Sequence, residues 1–170
     1  MDNQQERLVS LDYIAGLFAG EGSFSFNIVR NRGRGLINPV FQMFMCDQDT
    51  VDRVYASLKH HGLPGYYYTR RKAGANTKDQ YGVRVHGVKR LKRYCDTFAP
   101  LMTGQKKTAA TVMGDWCNHR LSLHPKAGYS PIDVEYVKQL RGINGNSKVN
   151  RTSIEELPRI LRDYTSDIAH

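Results

Sequence analysis

Phe24, Phe26 and Ile28 alternate with Ser23, Ser25, Asn27 and Val29, which predicts a strand with one buried face and one largely polar face. The same period recurs over Asn38–Cys46, where Phe41, Met43 and Met45 oppose Asn38, Val40, Gln42 and Phe44. Between the two strands, Arg30–Gly35 reads as a Gly/Arg-rich turn. A helix is expected over Thr50–His60, its apolar side formed by Val51, Val54, Tyr55 and Leu58. The strand pair then repeats. Tyr66–Lys72 and Gln80–His86 flank a turn at Ala73–Asn76, with Tyr67, Tyr81, Val83 and Val85 inward. Helices follow over Lys89–Phe98 and Gln105–Leu121, then shorter ones near 131–141 and 153–164. Ahead of all this, Ser10 caps a helix whose stripe is Leu11, Ile14, Leu17 and Phe18.

The order α-β-β-α-β-β-α predicts an α+β fold, with an antiparallel sheet of four strands covered by helices on one face. The other face is left open, lined by Ser, Asn, Gln, Tyr, Arg and Lys. A DNA major groove admits a β-ribbon and carries a distinct donor–acceptor pattern for each base pair, so such a face suits it.

Charge sharpens that reading. The 170 residues fit one domain, and the net charge of +9 favours a polyanionic partner. No acid lies between Glu21 and Asp47, a stretch that holds Arg30, Arg32 and Arg34. From Tyr66 to Arg93, nine Lys and Arg face the lone Asp79. A solvated surface normally mixes signs, so these stretches point to nucleic acid. Cys46, Cys95 and Cys117 are odd in number and widely spaced, which fits neither a disulfide framework nor a zinc pattern. The fragment Cys117-Asn118-His119 with His124 is read as packing, and His60-His61 as a helix end. Without a signal peptide or long apolar run, a soluble, reduced, intracellular protein is expected, with no membrane partner.

The chemistry concentrates at the end of the first helix. Ala15/Gly16 and Ala19/Gly20 repeat at a spacing of four, small enough for a second helix to approach closely. Gly20 and Gly22 are expected to stop the helix, leaving Glu21 at its negative end beside unsatisfied carbonyls. An anion is disfavoured there unless a cation joins it, and paired carboxylates from two copies would hold a hard divalent metal.

Tyr13-Ile14-Ala15-Gly16-Leu17-Phe18-Ala19-Gly20-Glu21-Gly22-Ser23 resembles the motif of the LAGLIDADG homing endonucleases. It departs from the usual pattern with Ala19 at the first acid and Glu21 in place of Asp at the second. The resemblance covers roughly residues 10–164 and implies the αββαββα saddle sheet of that family. Since one motif is present, it also implies a homodimer joined through Tyr13, Ala15, Gly16 and Ala19. It further implies Glu21 and the Gly20 carbonyl as ligands of Mg2+ or Mn2+. Asp47 stands where the family often has Gln, with capping of the following helix as an equal alternative. Lys106 or Lys107 lies near the family's basic position, although strict alignment puts Gly104 there.

Carried over by position, the groove-facing residues of the first hairpin would be Ser23, Ser25, Asn27, Val29, Asn31, Asn38, Val40, Gln42 and Phe44, with the Arg30–Arg34 turn beside them. The second hairpin would offer Tyr66, Tyr68, Arg70, Lys72, Gln80, Arg84 and His86. The segment Ser147-Lys148-Val149-Asn150-Arg151-Thr152 resembles the loop that clamps the phosphate backbone in single-motif members, with Lys148 and Arg151 as phosphate ligands. The implied function is site-specific cleavage of double-stranded DNA. Two alternatives keep the fold: a maturase that binds intron RNA, and a DNA-binding regulator without catalysis.

Overall fold

The computed structural model describes residues 8–63, 65–70, 78–145 and 152–166. Helix α1 (Leu11–Glu21) is capped by the Ser10 hydroxyl, which accepts from the Tyr13 N–H at 3.1 Å. It passes directly into β1 (Gly22–Asn31), which pairs with β2 (Arg34–Met45). Helix α2 (Gln48–His60) leads to β3 (Tyr66–Arg70) and β4 (Gln80–His86). Then come α3 (Val88–Phe98), a 3-10 turn at Ala99–Leu101, α4 (Gly104–Ser122), α5 (Pro131–Asn144) and α6 (Leu157–Ile160). The sheet order is β1-β2-β4-β3 and every pairing is antiparallel. The continuation to Lys72 and the turn at 73–76 lie outside the described residues.

An aromatic layer joins the sheet to the helices. The Phe18 ring lies 4.4 Å from Phe41 and 4.8 Å from Phe98, while Phe24 sits 4.7 Å from Phe41. Phe26 meets Trp116 edge-on at 4.9 Å. These side chains are almost wholly buried. Burial of each contributes about 1.5–3 kcal/mol, with aromatic geometry adding to it.

The α4–α5 connection is held by a buried carboxylate. Asp133 has no exposure and accepts from Trp116 Nε1 at 3.0 Å and from the Ser130 N–H at 2.9 Å, with Arg120 Nη1 at 3.5 Å. A buried charge is tolerable only when so surrounded. His119 lies 3.8 Å from the same carboxylate and Cys117 is buried, so this fragment is structural packing.

Three expectations from the sequence need correction. The first turn contains only Arg32 and Gly33, because Asn31 already pairs with Arg34. Both turn residues have positive φ, 50° and 80°, the primed geometry that matches strand twist. Gly20 does not stop α1. The helix includes Glu21, and Gly22 adopts extended φ −81°, ψ 156°. The expected helix over 153–164 is only Leu157–Ile160. After it, Leu161 bridges in parallel to Gly35, and the Arg162 N–H donates to the Gly35 carbonyl at 3.0 Å. The half of β2 before Val40 runs beyond β4 and would otherwise leave edge groups unpaired. Covering that edge outweighs continuation of the helix. Tyr129 reinforces the cover, its hydroxyl accepting from the Ile37 N–H at 3.1 Å.

Candidate nucleic-acid interface and catalytic end

Gly22 allows the abrupt change from helix to strand through close approach, not unusual torsion. A Cβ at this position would lie 2.5 Å from the Phe18 carbonyl oxygen and 2.8 Å from Phe41 Cε2. Its N–H donates to that same Phe18 carbonyl. The chain therefore turns on a residue without a side chain and leaves Glu21, just before it, exposed. At Gly20 an added Cβ would meet nothing within 4 Å, so the space beside the carboxylate is open.

Lys106 reaches this junction from the first turn of α4. Its Nζ donates to the Gly22 carbonyl, and the side chain is half-buried. Lys107, one residue on, is exposed, with its N–H closing the helix on Thr103. Gly104 cannot supply a charge, but two residues later on the same helix start Lys106 does. A cation at the carboxyl end of α1 also offsets the helix dipole. Asp47 is engaged elsewhere. It caps α2, accepting from Thr50 Oγ1 at 2.8 Å and from the Thr50 N–H at 3.4 Å. These hydrogen bonds hold its carboxyl below the ordinary value. Asp47 therefore caps α2.

On α1, Tyr13 is 47% exposed, and Gly16 and Gly20 are open, each with free space where a Cβ would stand. Ala19 is half-buried. Ala15 is 1% exposed, so its methyl group belongs to the protomer's own core and not to the small-residue face. Neighbouring helical residues point about 100° apart. Of Ala15 and Gly16 only Gly16 is turned outward, whereas Ala19 and Gly20 both keep exposure.

The strand register assembles the predicted sheet residues into rows across the open face. Ser23 pairs with Gln42, Gln42 with Arg84, and Arg84 with Tyr66. Ser25 lies opposite Val40 and Val40 opposite His86, while Asn27 faces Asn38. Phe44 and Tyr68 flank Gly82, where a Cβ would collide with Phe44 Cδ1 at 2.5 Å. Arg70, paired with Gln80, lies over the Phe44 ring at 3.8 Å. Val40 departs from expectation. It is fully buried, although it stands outside the main hydrophobic cluster, and offers no surface to a ligand.

Toward the turn, Val29, Arg30, Asn31, Arg32 and Arg34 are exposed, and Arg34 pairs with Asp163 at 3.4 Å. Thr152 is half-buried, its carbonyl accepting from Arg141 Nη1 at 2.7 Å. Lys72, Ser147, Lys148, Asn150 and Arg151 lie outside the described residues.

One contact of this face was hidden from sequence reasoning. Arg90, on α3, donates from Nη1 to the Tyr66 hydroxyl at 3.0 Å. The Tyr66 ring in turn stacks on His86, 4.8 Å between centroids and 8° from parallel. Burial, then the charges of Arg84 and Arg90, push the His86 imidazole below its ordinary value. Arg90 belongs to the basic run after Tyr66, but nothing local shows that a helical residue reaches a strand's outer face.

No protein-family model matches the sequence, and no curated protein matches it. Solved structures do. The chain is similar to the homing endonuclease I-CvuI in complex with its target, with TM-score 0.63 and 13% identity over 92% of each chain. It is similar to the archaeal intron-encoded homing endonuclease I-Vdi141I complexed with DNA, with TM-score 0.64 and 20% identity over 88% of this chain and 92% of that one. The LAGLIDADG homing endonuclease I-GzeII, in complex with its DNA target, gives TM-score 0.60 and 15% identity, covering 95% of this chain and 55% of that chain. Helix-capped four-stranded sheet, motif helix and neighbours agree: the chain has the fold of the LAGLIDADG homing endonucleases.

Proposed function

We propose that this protein is a site-specific double-strand DNA endonuclease that acts as a homodimer and cuts by metal-dependent phosphodiester hydrolysis. The observation that carries the reading is an exposed carboxylate, Glu21, at the junction of α1 and β1 with Lys106 beside it, at one end of an open polar sheet. A regulator without catalysis would have no use for that carboxylate. The similar proteins I-CvuI and I-Vdi141I, solved with DNA, support the same partner here.

Among the described residues of one protomer, no group of three His, Cys, Asp or Glu could hold a metal ion. The donor set still fits a shared site, since Glu21 is exposed, the space at Gly20 is open, and hard divalent ions take carboxylate and carbonyl oxygens. Glu21 and the Gly20 carbonyl of each copy would hold Mg2+ or Mn2+. Bound there, the ion supplies charge relief at the scissile phosphate and an acidified water. The sheet holds the duplex by its base edges. Lys106 spends one ammonium N–H on Gly22 and keeps two donors for a phosphate oxygen or the attacking water. Hydrolysis adds water across one P–O bond of each strand.

The test is incubation of the protein with DNA carrying the uninterrupted insertion-site sequence and Mg2+. Paired staggered cuts at one locus are expected. Intact DNA under conditions where the protein binds that duplex would overturn the catalytic reading. The same basic face would also serve intron RNA, and a splicing assay separates that activity.

A further inference from the structure

The basic surface does not end at β3. Helix α3 buries Leu91, Tyr94, Cys95 and Phe98, and its outer side exposes Lys89, Arg90 and Arg93. Its one acid, Asp96, is paired with Lys92. Among the described residues, no ion pair engages Lys89, Arg90 or Arg93. Arg90 and Arg93 flank a shallow recess whose other walls are Leu63 and Tyr94. The Arg93 guanidinium lies beside the Gly62 turn that follows α2. Arg90 joins the recess to the sheet by its hydrogen bond to Tyr66, and its guanidinium carbon stands 5.5 Å from the Tyr66 ring.

We propose that Lys89, Arg90 and Arg93 form a phosphate-backbone site that carries the nucleic-acid interface from the sheet, around the β3 edge, onto α3. The inference rests on the nucleic-acid reading above, but not on cleavage. Three cations without acidic partners repel one another, and a polyanion is the ligand class that relieves this. Their geometry also suits the role. Two guanidinium forks beside a recess with apolar walls match phosphate oxygens in a way that a scattered set of lysines does not. Arg90 has a second duty, holding the Tyr66–His86 stack, so the discriminating variant spares it.

The experiment compares wild type with the double variant Lys89→Ala/Arg93→Ala. Fluorescence anisotropy follows binding to a random-sequence DNA duplex and to single-stranded RNA of equal length across a KCl series. Lys126→Ala/Lys138→Ala removes the same charge from the α4–α5 side. The Lys89/Arg93 variant should flatten the slope of log K against log salt. The expected change is about 0.9 for each phosphate no longer neutralised on duplex DNA and about 0.7 on a single strand. The control pair should leave the slope unchanged. Flattening on duplex identifies DNA as the backbone held, and flattening on RNA alone identifies RNA; either supports the site. An unchanged slope on both polymers, or equal flattening in the control pair, overturns it while leaving the sheet reading standing. A wild type that binds neither polymer at low salt overturns both.

Discussion

The ammonium of Lys106 donates to the carbonyl of Gly22, tying the start of α4 to the point where α1 becomes β1. The neighbour of Glu21 is thereby fixed by a charged hydrogen bond from an element more than eighty residues away. Lys106→Met should lower cleavage strongly and cost about 1.5–3 kcal/mol of stability by removing the charge-assisted bond. Lys107→Met should change neither measurement appreciably. Plasmid cleavage and urea unfolding of the two variants check the contrast, and equal loss in both would remove Lys106 from the site.

Glu21→Gln keeps size and hydrogen-bonding capacity but removes the charge proposed to hold the metal. Cleavage should fall by about 100-fold or more. Binding of the target duplex and the oligomeric state should persist. Without metal the thermal midpoint should rise, because an anion at a helix carboxyl end is removed. Calcium should permit wild-type binding without cutting. Near wild-type cleavage by the variant would refute the assignment.

Three glycines separate folding from assembly. Gly22→Ala should destabilise the protomer, since its Cβ has nowhere to go. Gly16→Ala and Gly20→Ala meet open space within the protomer. Each should raise protomer stability by about 0.5–1 kcal/mol through helix propensity. Both should nevertheless weaken dimerisation if α1 packs against its copy. Sedimentation combined with thermal melting reads the two effects independently.

Asp47 provides a pH test. Its carboxyl is held low by Thr50, so the unfolded chain binds the proton more readily. The contribution to stability is present above the unfolded value of 3.8 and is lost as pH falls below it toward the folded value. Asp47→Ala should lower the thermal midpoint at neutral pH and flatten the acid limb of the stability curve. Asp47→Asn, which can still cap, should retain cleavage at neutral pH. Loss of cutting in a well-folded Asn variant would give Asp47 a role in the chemistry besides its cap.

His86 should titrate below 6.5, because burial and then Arg84 and Arg90 oppose its protonation. Here the folded state binds fewer protons than the unfolded chain between the folded value and 6.5. Stability from this group is therefore fully present above 6.5 and declines as pH falls through that window. An NMR titration of the His86 ring should place its midpoint below 6.5, and His86→Gln should remove this part of the pH dependence.

Strand alternation was the most legible part of the chain, because a half-buried sheet writes a period of two into its own sequence. Phe24, Phe26, Phe41 and Val83 all face the core as that period requires. Where the structure departs from the pattern, the deciding interaction is distant in sequence. Leu161 leaves its helical pattern because β2 has an uncovered edge at Gly35. Val40 has the right parity for the open face, yet it is fully buried. Ala15 fits a spacing of four, but the rotation of α1 that buries Ile14 and Phe18 also turns Ala15 inward. At the α1–β1 junction, the exposed Glu21 could be expected from local chemistry. Which of Lys106 and Lys107 reaches that junction could not, since it depends on how α4 docks there.

The β1–β2 register limits how the open face of the sheet can change. A primed turn of two residues locks β1 to β2 from Asn31–Arg34 down to Gly22–Met43. A residue inserted within β1, unless a bulge absorbed it, would exchange the outward and inward sets along the rest of that strand. Ser25 and Asn27 would then trade places with Phe24 and Phe26, setting polar side chains in the core. Change of the open face in this hairpin therefore proceeds most simply by single substitutions at outward positions such as Ser23, Ser25, Asn27, Asn38 and Gln42. The residues of that face are open to mutation, and the register that presents them is closed.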